Sequence, residues 1–227
     1  MQCKVRTPAR LLVGHAGPRL TTSAMLAFRA DHAAARDAVY SDVPNTFLTT
    51  RGLPVLQTLC RSKEEFLLRP DLGRIPDDES KAFLQHSARH GAAVQLYLSD
   101  GLSGRALTSN HDNLVPAILD GLAAAKLDAG TLFYVRYGRV AVQDWVSELT
   151  GSAVCIVLLG ERPGLGGGQS LSAYLTYHGT VGMAESRRTV VSNIHPDGVP
   201  AVEAGAQIAY IAQKMLEQRC SGLGLEF

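Results

Sequence analysis

The sequence predicts an α/β fold: a mostly parallel sheet covered by helices on both faces, preceded by a helical, loop-rich first third. Three observations carry this. From residue 93 onward, short apolar runs alternate with helix-length amphipathic runs. The run "SAVCIVLLG" (152–160) is apolar almost throughout, as a strand buried on both faces must be. The segments between these runs carry glycine and polar turn residues.

In chain order, "SAMLAFRADHAAARDAVYSD" (23–42) is rich in Ala and Leu and reads as an amphipathic helix ending near Pro44. The stretch from "VPNTFLTTRGLPVLQTLC" to "RPDLGR" reads as irregular. A helix follows Pro76, with Asp77, Asp78 and Glu79 at its positive dipole end and Gly91 closing it. "AVQLYLSD" (93–100) reads as a strand, and "NLVPAILDGLAAAKLDAG" (113–130) as a helix closed by Gly130. "TLFYVRYG" (131–138) is a strand rich in aromatic and β-branched residues. "VAVQDWVSELTG" (140–151) is a short helix, "SLSAYLTYHG" (170–179) alternates like a strand, and a long helix spans 198–220 with Pro200 near its start. Ligands in such sheets gather beyond the carboxyl ends of the strands. Those ends are "SDGLS" (99–103), "RYGRV" (136–140), "GERPGLGGG" (160–168) and "SNIH" (192–195).

The 227 residues suit one large domain, or a main domain with a small one attached. With 46% hydrophobic and 19% charged residues, the chain can bury a substantial core. A formal net charge of +1 gives no strong pull toward nucleic acid or an anionic membrane. No apolar run approaches the ~20 residues that span a bilayer, and the N-terminus lacks a secretory apolar core, so a cytoplasmic location is expected. Cys3, Cys60, Cys155 and Cys220 show neither CxxC nor zinc-ligand spacing, so reduced, non-catalytic thiols are expected.

The glycine loop at 160–168 fails both phosphate-loop tests. The dinucleotide pattern breaks at Gln169, and there is no lysine for a Walker loop. Composition leaves a structural turn and a ligand-lining loop both open. "SNIHPDG" places Asn193 where a cobalt-ligating histidine would need an orienting carboxylate, so His195 is not expected to bind metal. Asp100, His111 and Asp112 could do acid–base chemistry, but turn and cap roles explain them more simply. Ser99 and Ser103 lack a nucleophile elbow. "RYGR" and "ESRR" (185–188) are too small for a nucleic-acid stripe; solvated salt bridges or an interface fit them better. No catalytic set emerges, which favours a binding or accessory role.

Taken together, "GHAGPRL" (14–20), "RPDLGR" (69–74), "SDGLS" (99–103), "FYVRYGRV" (133–140), "GERPGLG" (160–166), "SNIHPDG" (192–198) and "AQKMLEQRCSG" (212–222) resemble, in this order, the small subunit of ethanolamine ammonia-lyase. The resemblance covers nearly the whole chain. It implies an adenosylcobalamin-dependent lyase that converts ethanolamine to acetaldehyde and ammonia, with the substrate site in a barrel-shaped large subunit. The small subunit would close over the corrin. Its helical N-terminal part would span 1–76 and a Rossmann-like domain 77–227. The family forms large hetero-oligomers, often associated with a bacterial microcompartment.

Three cofactor contacts carry over by position: Val140, Glu161 and Val190. The family often has Cys at the third, so a thiol role there is ruled out and a backbone contact remains. The family keeps the cofactor's own base on cobalt, in agreement with a non-ligating His195. No catalytic or metal-ligating side chain is expected in this chain. A stand-alone nucleotide-binding domain and a structural partner subunit without cofactor contact are the alternatives.

Overall fold

The computed structural model describes residues 11–165 and 167–227. After a two-stranded hairpin, β1 (His15–Ala16) and β2 (Arg19–Leu20), comes helix α1 (Thr22–Tyr40). Thr21 caps α1, its Oγ1 accepting the Ala24 N–H at 3.4 Å. Only Ala38 of this helix is buried. The segment that reads as irregular holds helix α2 (Asn45–Thr50), strand β3 (Val55–Gln57) and helix α3 (Lys63–Leu68). The remaining elements are α4 (Asp78–His86), β4 (Val94–Ser99), α5 (Gly104–Ala124), β5 (Tyr134–Arg136), α6 (Val142–Thr150), β6 (Val154–Gly160), β7 (Leu171–Tyr177), β8 (Thr189–Ile194) and α7 (Ala201–Gln218).

The main sheet has six strands in the order β3-β5-β4-β6-β7-β8. β3, β5, β4 and β6 run parallel, while β7 is antiparallel to β6 and to β8. The sheet is therefore mixed. A parallel neighbour needs a crossover of a dozen or more residues, usually helical. Among its described residues the 161–170 connection holds no helix, so the chain turns back on itself and β7 pairs antiparallel. β8 then runs in the direction of β6, which returns residues 192–195 to the edge where β4, β5 and β6 end. The sheet also reaches back before residue 76, since β3 pairs with β5 from Val55↔Tyr134 to Gln57↔Arg136.

Both faces are covered. On one, Leu96, Leu98, Ile156, Leu158, Ala173 and Leu175 pack with Leu114 and Ile118 of α5 and with Ile208 and Met215 of α7. On the other, Tyr97, Phe133, Val135, Cys155 and Val157 pack with Leu84 of α4 and Val142 and Val146 of α6. All six residues of β4 are buried, which explains why its polar-apolar alternation is weak.

Three helix boundaries differ most from the sequence reading. α5 begins at Gly104, with Ser103 Oγ accepting the Ala106 N–H at 3.2 Å, so Pro116 lies inside the helix rather than near its start. The same helix ends at Ala124, and Gly130 serves packing instead: a Cβ there would collide with the Gln95 amide oxygen. α4 stops at His86, before Gly91. By contrast, Gly151 ends α6 in the left-handed conformation (φ 63°), and Asp77 caps α4 with Oδ1 accepting the Ser80 N–H at 2.9 Å.

Among the described residues no helix is long and apolar enough to cross a membrane. Cys60 and Cys155 are buried and free, and Cys220 is partly buried and free. Burial pushes the Cys155 thiol far above its ordinary value, which keeps it unreactive. Cys3 lies outside the described residues.

Candidate cofactor cleft

Two clefts open at the carboxyl edge of the sheet and meet at Glu161 and Arg162. The smaller, ≈ 250 Å³, is walled by Phe66, Leu102, Val140 and Tyr174. The larger, ≈ 720 Å³, runs along the glycine loop and reaches Asn193 and His195. Neither volume encloses a macrocycle, so a large ligand would lie against this edge rather than inside it.

Glycine shapes the floor of the smaller cleft. Gly101 has φ +53°, and a Cβ there would lie 2.5 Å from the Gly160 carbonyl oxygen. At Gly160 a Cβ would collide with the Ser103 carbonyl oxygen. The turns after β4 and β6 thus touch main chain to main chain, leaving bare backbone under the opening.

Beneath the floor sits a buried ion pair. Lys63 Nζ lies 3.5 Å from Asp100 Oδ2 and donates to the Gly101 carbonyl at 3.2 Å. The Lys63 and Asp100 side chains are 5% and 0% exposed, so both charges are out of water. Asp100 Oδ1 accepts the Tyr137 N–H at 2.8 Å and so holds Tyr137 at φ +56°. Burial pushes the Asp100 carboxyl up, against the opposing pull of Lys63 and the Tyr137 N–H. Asp100 is therefore a joint between the β4 and β5 turns.

Glu161 leaves the end of β6 and turns its carboxylate toward β7 and β8. Ser170 Oγ donates to Oε2 at 2.6 Å, Ser172 Oγ donates to Oε1, and the Asn193 N–H donates to Oε1 at 3.0 Å. Burial alone would raise this carboxyl. The Ser170 and Ser172 hydroxyls, the Asn193 N–H and the nearby His195 outweigh it and hold the group below the usual glutamate range. Glu161 is ionised at neutral pH, with three of its roughly four acceptor positions filled by the protein.

The sequence-expected contacts divide as follows. Val140 and Glu161 line the same cleft. Val190 is half-exposed on β8, directly opposite Tyr174 of β7, and does not line either cleft. Cross-strand partners share a sheet face, so Val190 sits one residue outward from the cleft wall.

The other candidates resolve on local contacts. Ser99 Oγ donates to the Val135 carbonyl at 2.8 Å and accepts the Gly138 N–H at 3.2 Å. Ser103 Oγ donates to the Gly168 carbonyl at 2.7 Å, pinning the glycine loop to the start of α5. His111 and Asp112 lie within α5, not in a loop beside Asp100. Arg51 grips Asp112 from Nη2 at 2.6 and 2.8 Å, and Asp112 Oδ1 lies 2.8 Å from His111 Nδ1. His195 lines the larger cleft, and no cluster fit to hold a metal ion occurs among the described residues.

Arg188 corrects the solvated reading of "ESRR". Its Nη1 and Nη2 donate to the two Asp144 carboxylate oxygens at 2.7 and 3.1 Å, with both side chains under 5% exposed. This fork ties the start of β8 to α6. Sequence reasoning missed Ser170 and Ser172 as partners of Glu161. Their i, i+2 spacing on an alternating strand, which puts both on one face, was the available signal.

The chain matches the family model described as "Ethanolamine ammonia-lyase light chain (EutC)" over residues 1–226. It is 52% identical over 226 residues to the ethanolamine ammonia-lyase small subunit of Clostridium tetani, covering 100% of this chain and 76% of that protein. The proteins of the same name from Fusobacterium nucleatum and Listeria monocytogenes are 46% and 44% identical over 226 residues, covering all of this chain and 77% of each relative. A match of that length settles the family: this chain belongs to the ethanolamine ammonia-lyase light chain family.

Proposed function

We propose that this chain is the small subunit of an adenosylcobalamin-dependent ethanolamine ammonia-lyase, which converts ethanolamine to acetaldehyde and ammonia. It closes over the cofactor while the large subunit holds the substrate site. The observation that carries this reading is the ionised Glu161 carboxylate beside the glycine-floored cleft that Val140 also lines. When bound, the cofactor supplies radicals by homolysis of its cobalt–carbon bond.

The donor set fits such a ligand. A corrin edge carries amide arms that donate N–H bonds, and Glu161 keeps an acceptor position for one of them. The Val140 carbonyl accepts the Gln143 N–H at 2.9 Å and has a second lone pair to offer. The bare backbone at Gly101 and Gly160 lets a broad, flat ring approach closely. Phe66, Leu102 and Tyr174 exclude water from that contact. Val190 is assigned a main-chain contact at the rim of the same surface.

A nucleotide-binding role is disfavoured by the loop's destination. The 161–170 segment leads into β7, so no helix N-terminus follows to hold a phosphate. The test is to purify this chain with and without its large partner and assay ethanolamine deamination with adenosylcobalamin. Activity is expected only with both chains. Equal activity of the large subunit alone would sink the proposal.

A further inference from the structure

The smaller cleft carries more positive charge than its contacts consume. Arg139 Nη2 donates to the Phe66 carbonyl at 2.6 Å, and its guanidinium lies 4.4 Å from the Phe66 ring centroid. Its Nε is buried with no hydrogen-bond partner. Arg162 is exposed at the lip shared by the two clefts. Arg74 is close enough to Arg139 to repel it, as is Arg162. None of the three takes part in an ion pair among the described residues.

The one carboxylate lining the smaller cleft pairs with none of them. Glu161 spends its oxygens on Ser170, Ser172 and Asn193, not on an arginine. Gathering like charges without a counter-charge costs free energy unless a ligand supplies that charge. A guanidinium held over an aromatic ring, with N–H donors left over from its protein contacts, can meet a tetrahedral oxyanion.

We propose that Arg139 and Arg162 form an anion subsite for a phosphodiester, the group carried on the nucleotide arm of cobalamin. The assignment rests on the cofactor reading above and deepens it. Glu161 and Val140 would meet amide arms at the ring edge, while the arginines would meet the single anionic group of the same molecule. Arg74 adds long-range attraction without direct contact.

The test compares two corrinoids with the same upper ligand, cobalamin and cobinamide, which lacks the nucleotide arm and its phosphodiester. Each is titrated by equilibrium dialysis into the complex of this chain with its large subunit. Arg162→Gln, at an exposed position, is the primary variant, and Arg139→Gln is the second. The expected result is a Kd for cobalamin raised roughly ten- to a hundred-fold in each variant, with cobinamide affinity nearly unchanged. Arg162→Lys should recover part of the loss, and the wild-type preference for cobalamin should shrink as salt rises.

Equal loss for both corrinoids would overturn the proposal, because the arginines would then be serving the ring or the fold. No loss for either would overturn it as well. If the wild-type complex bound cobinamide as tightly as cobalamin, the phosphodiester would have no subsite here, yet the cofactor reading would stand. Binding of neither corrinoid by the wild type would overturn the cofactor reading and this assignment with it.

Discussion

The Asn193 N–H donates to Glu161 Oε1 at 3.0 Å and so joins the end of β8 to the end of β6 across the intervening strand. Asn193 sits at φ +57°, and its carbonyl accepts the Val199 N–H at 2.9 Å. Glu161 is thus a clasp on three strands as well as a group facing the cleft.

Glu161→Ala should therefore show two effects. Loss of the clasp leaves two hydroxyls and one N–H without their acceptor and should lower stability by about 1–2 kcal/mol, measured by urea denaturation. Loss of the charge-assisted contact should weaken adenosylcobalamin binding in the complex by roughly 1.5–3 kcal/mol. Glu161→Gln keeps the shape and part of the clasp, so it should lose less stability than Glu161→Ala while still losing affinity. Unchanged affinity in both variants would remove Glu161 from the cofactor site.

The acid limb of the stability curve should carry the Glu161 signature. Its folded value lies below the ordinary one, so its contribution is fully present above an unfolded pKa of about 4.3. That contribution is lost as pH falls from there through the folded value. Asp100 has the opposite sign: its raised folded value makes ionisation work against the fold as pH climbs past about 3.9. Denaturation of Glu161→Gln at a series of acid pH values should give a shallower fall below about pH 4.3 than the wild type. A fall of equal steepness would contradict this account.

Lys63→Met should be strongly destabilising. It leaves the Asp100 carboxylate, 0% exposed, without its counter-charge, at a cost of about 3–5 kcal/mol. Adding Asp100→Asn should restore much of that, because replacing both charges of a buried pair is far milder than removing one. Chemical denaturation of the two single variants and the double variant reads out the coupling.

Gly160→Ala should destabilise the rim by about 1–3 kcal/mol, since the new methyl group would strike the Ser103 carbonyl oxygen, with the Asp100 carbonyl oxygen at 2.5 Å. Gly167→Ala is the control, because a Cβ there meets nothing within 4 Å. Thermal melts should separate the two, with the control within about 0.5 kcal/mol of wild type.

Much of the α/β rhythm was legible in the sequence because the strands at 93–100 and 152–160 are apolar enough to have no other use. The long helix at 198–220 and the helix after Pro76 were legible from their start signals. Strand β3 was not, because only Val55–Gln57 pair, between Pro54 and a turn, and a three-residue strand has no period to detect. The early start of α5 was hidden by Pro116, which normally marks a first turn. The burial of Arg188 was hidden because its partner, Asp144, lies far along the chain on another element.

What the sequence by itself determined is local: which runs form strands and helices, and which segments fall at the strands' carboxyl ends. Periodicity and turn chemistry act over a few residues and leave their mark there. What only the tertiary structure decided is which of those ends meet. Strand order is not chain order, and the glycine loop is too short for a crossover, so β7 turns back and β8 brings Asn193 to Glu161. That pairing, the Lys63–Asp100 joint and the unpaired arginines depend on contacts between distant segments, which exist only once the sheet has closed over its core.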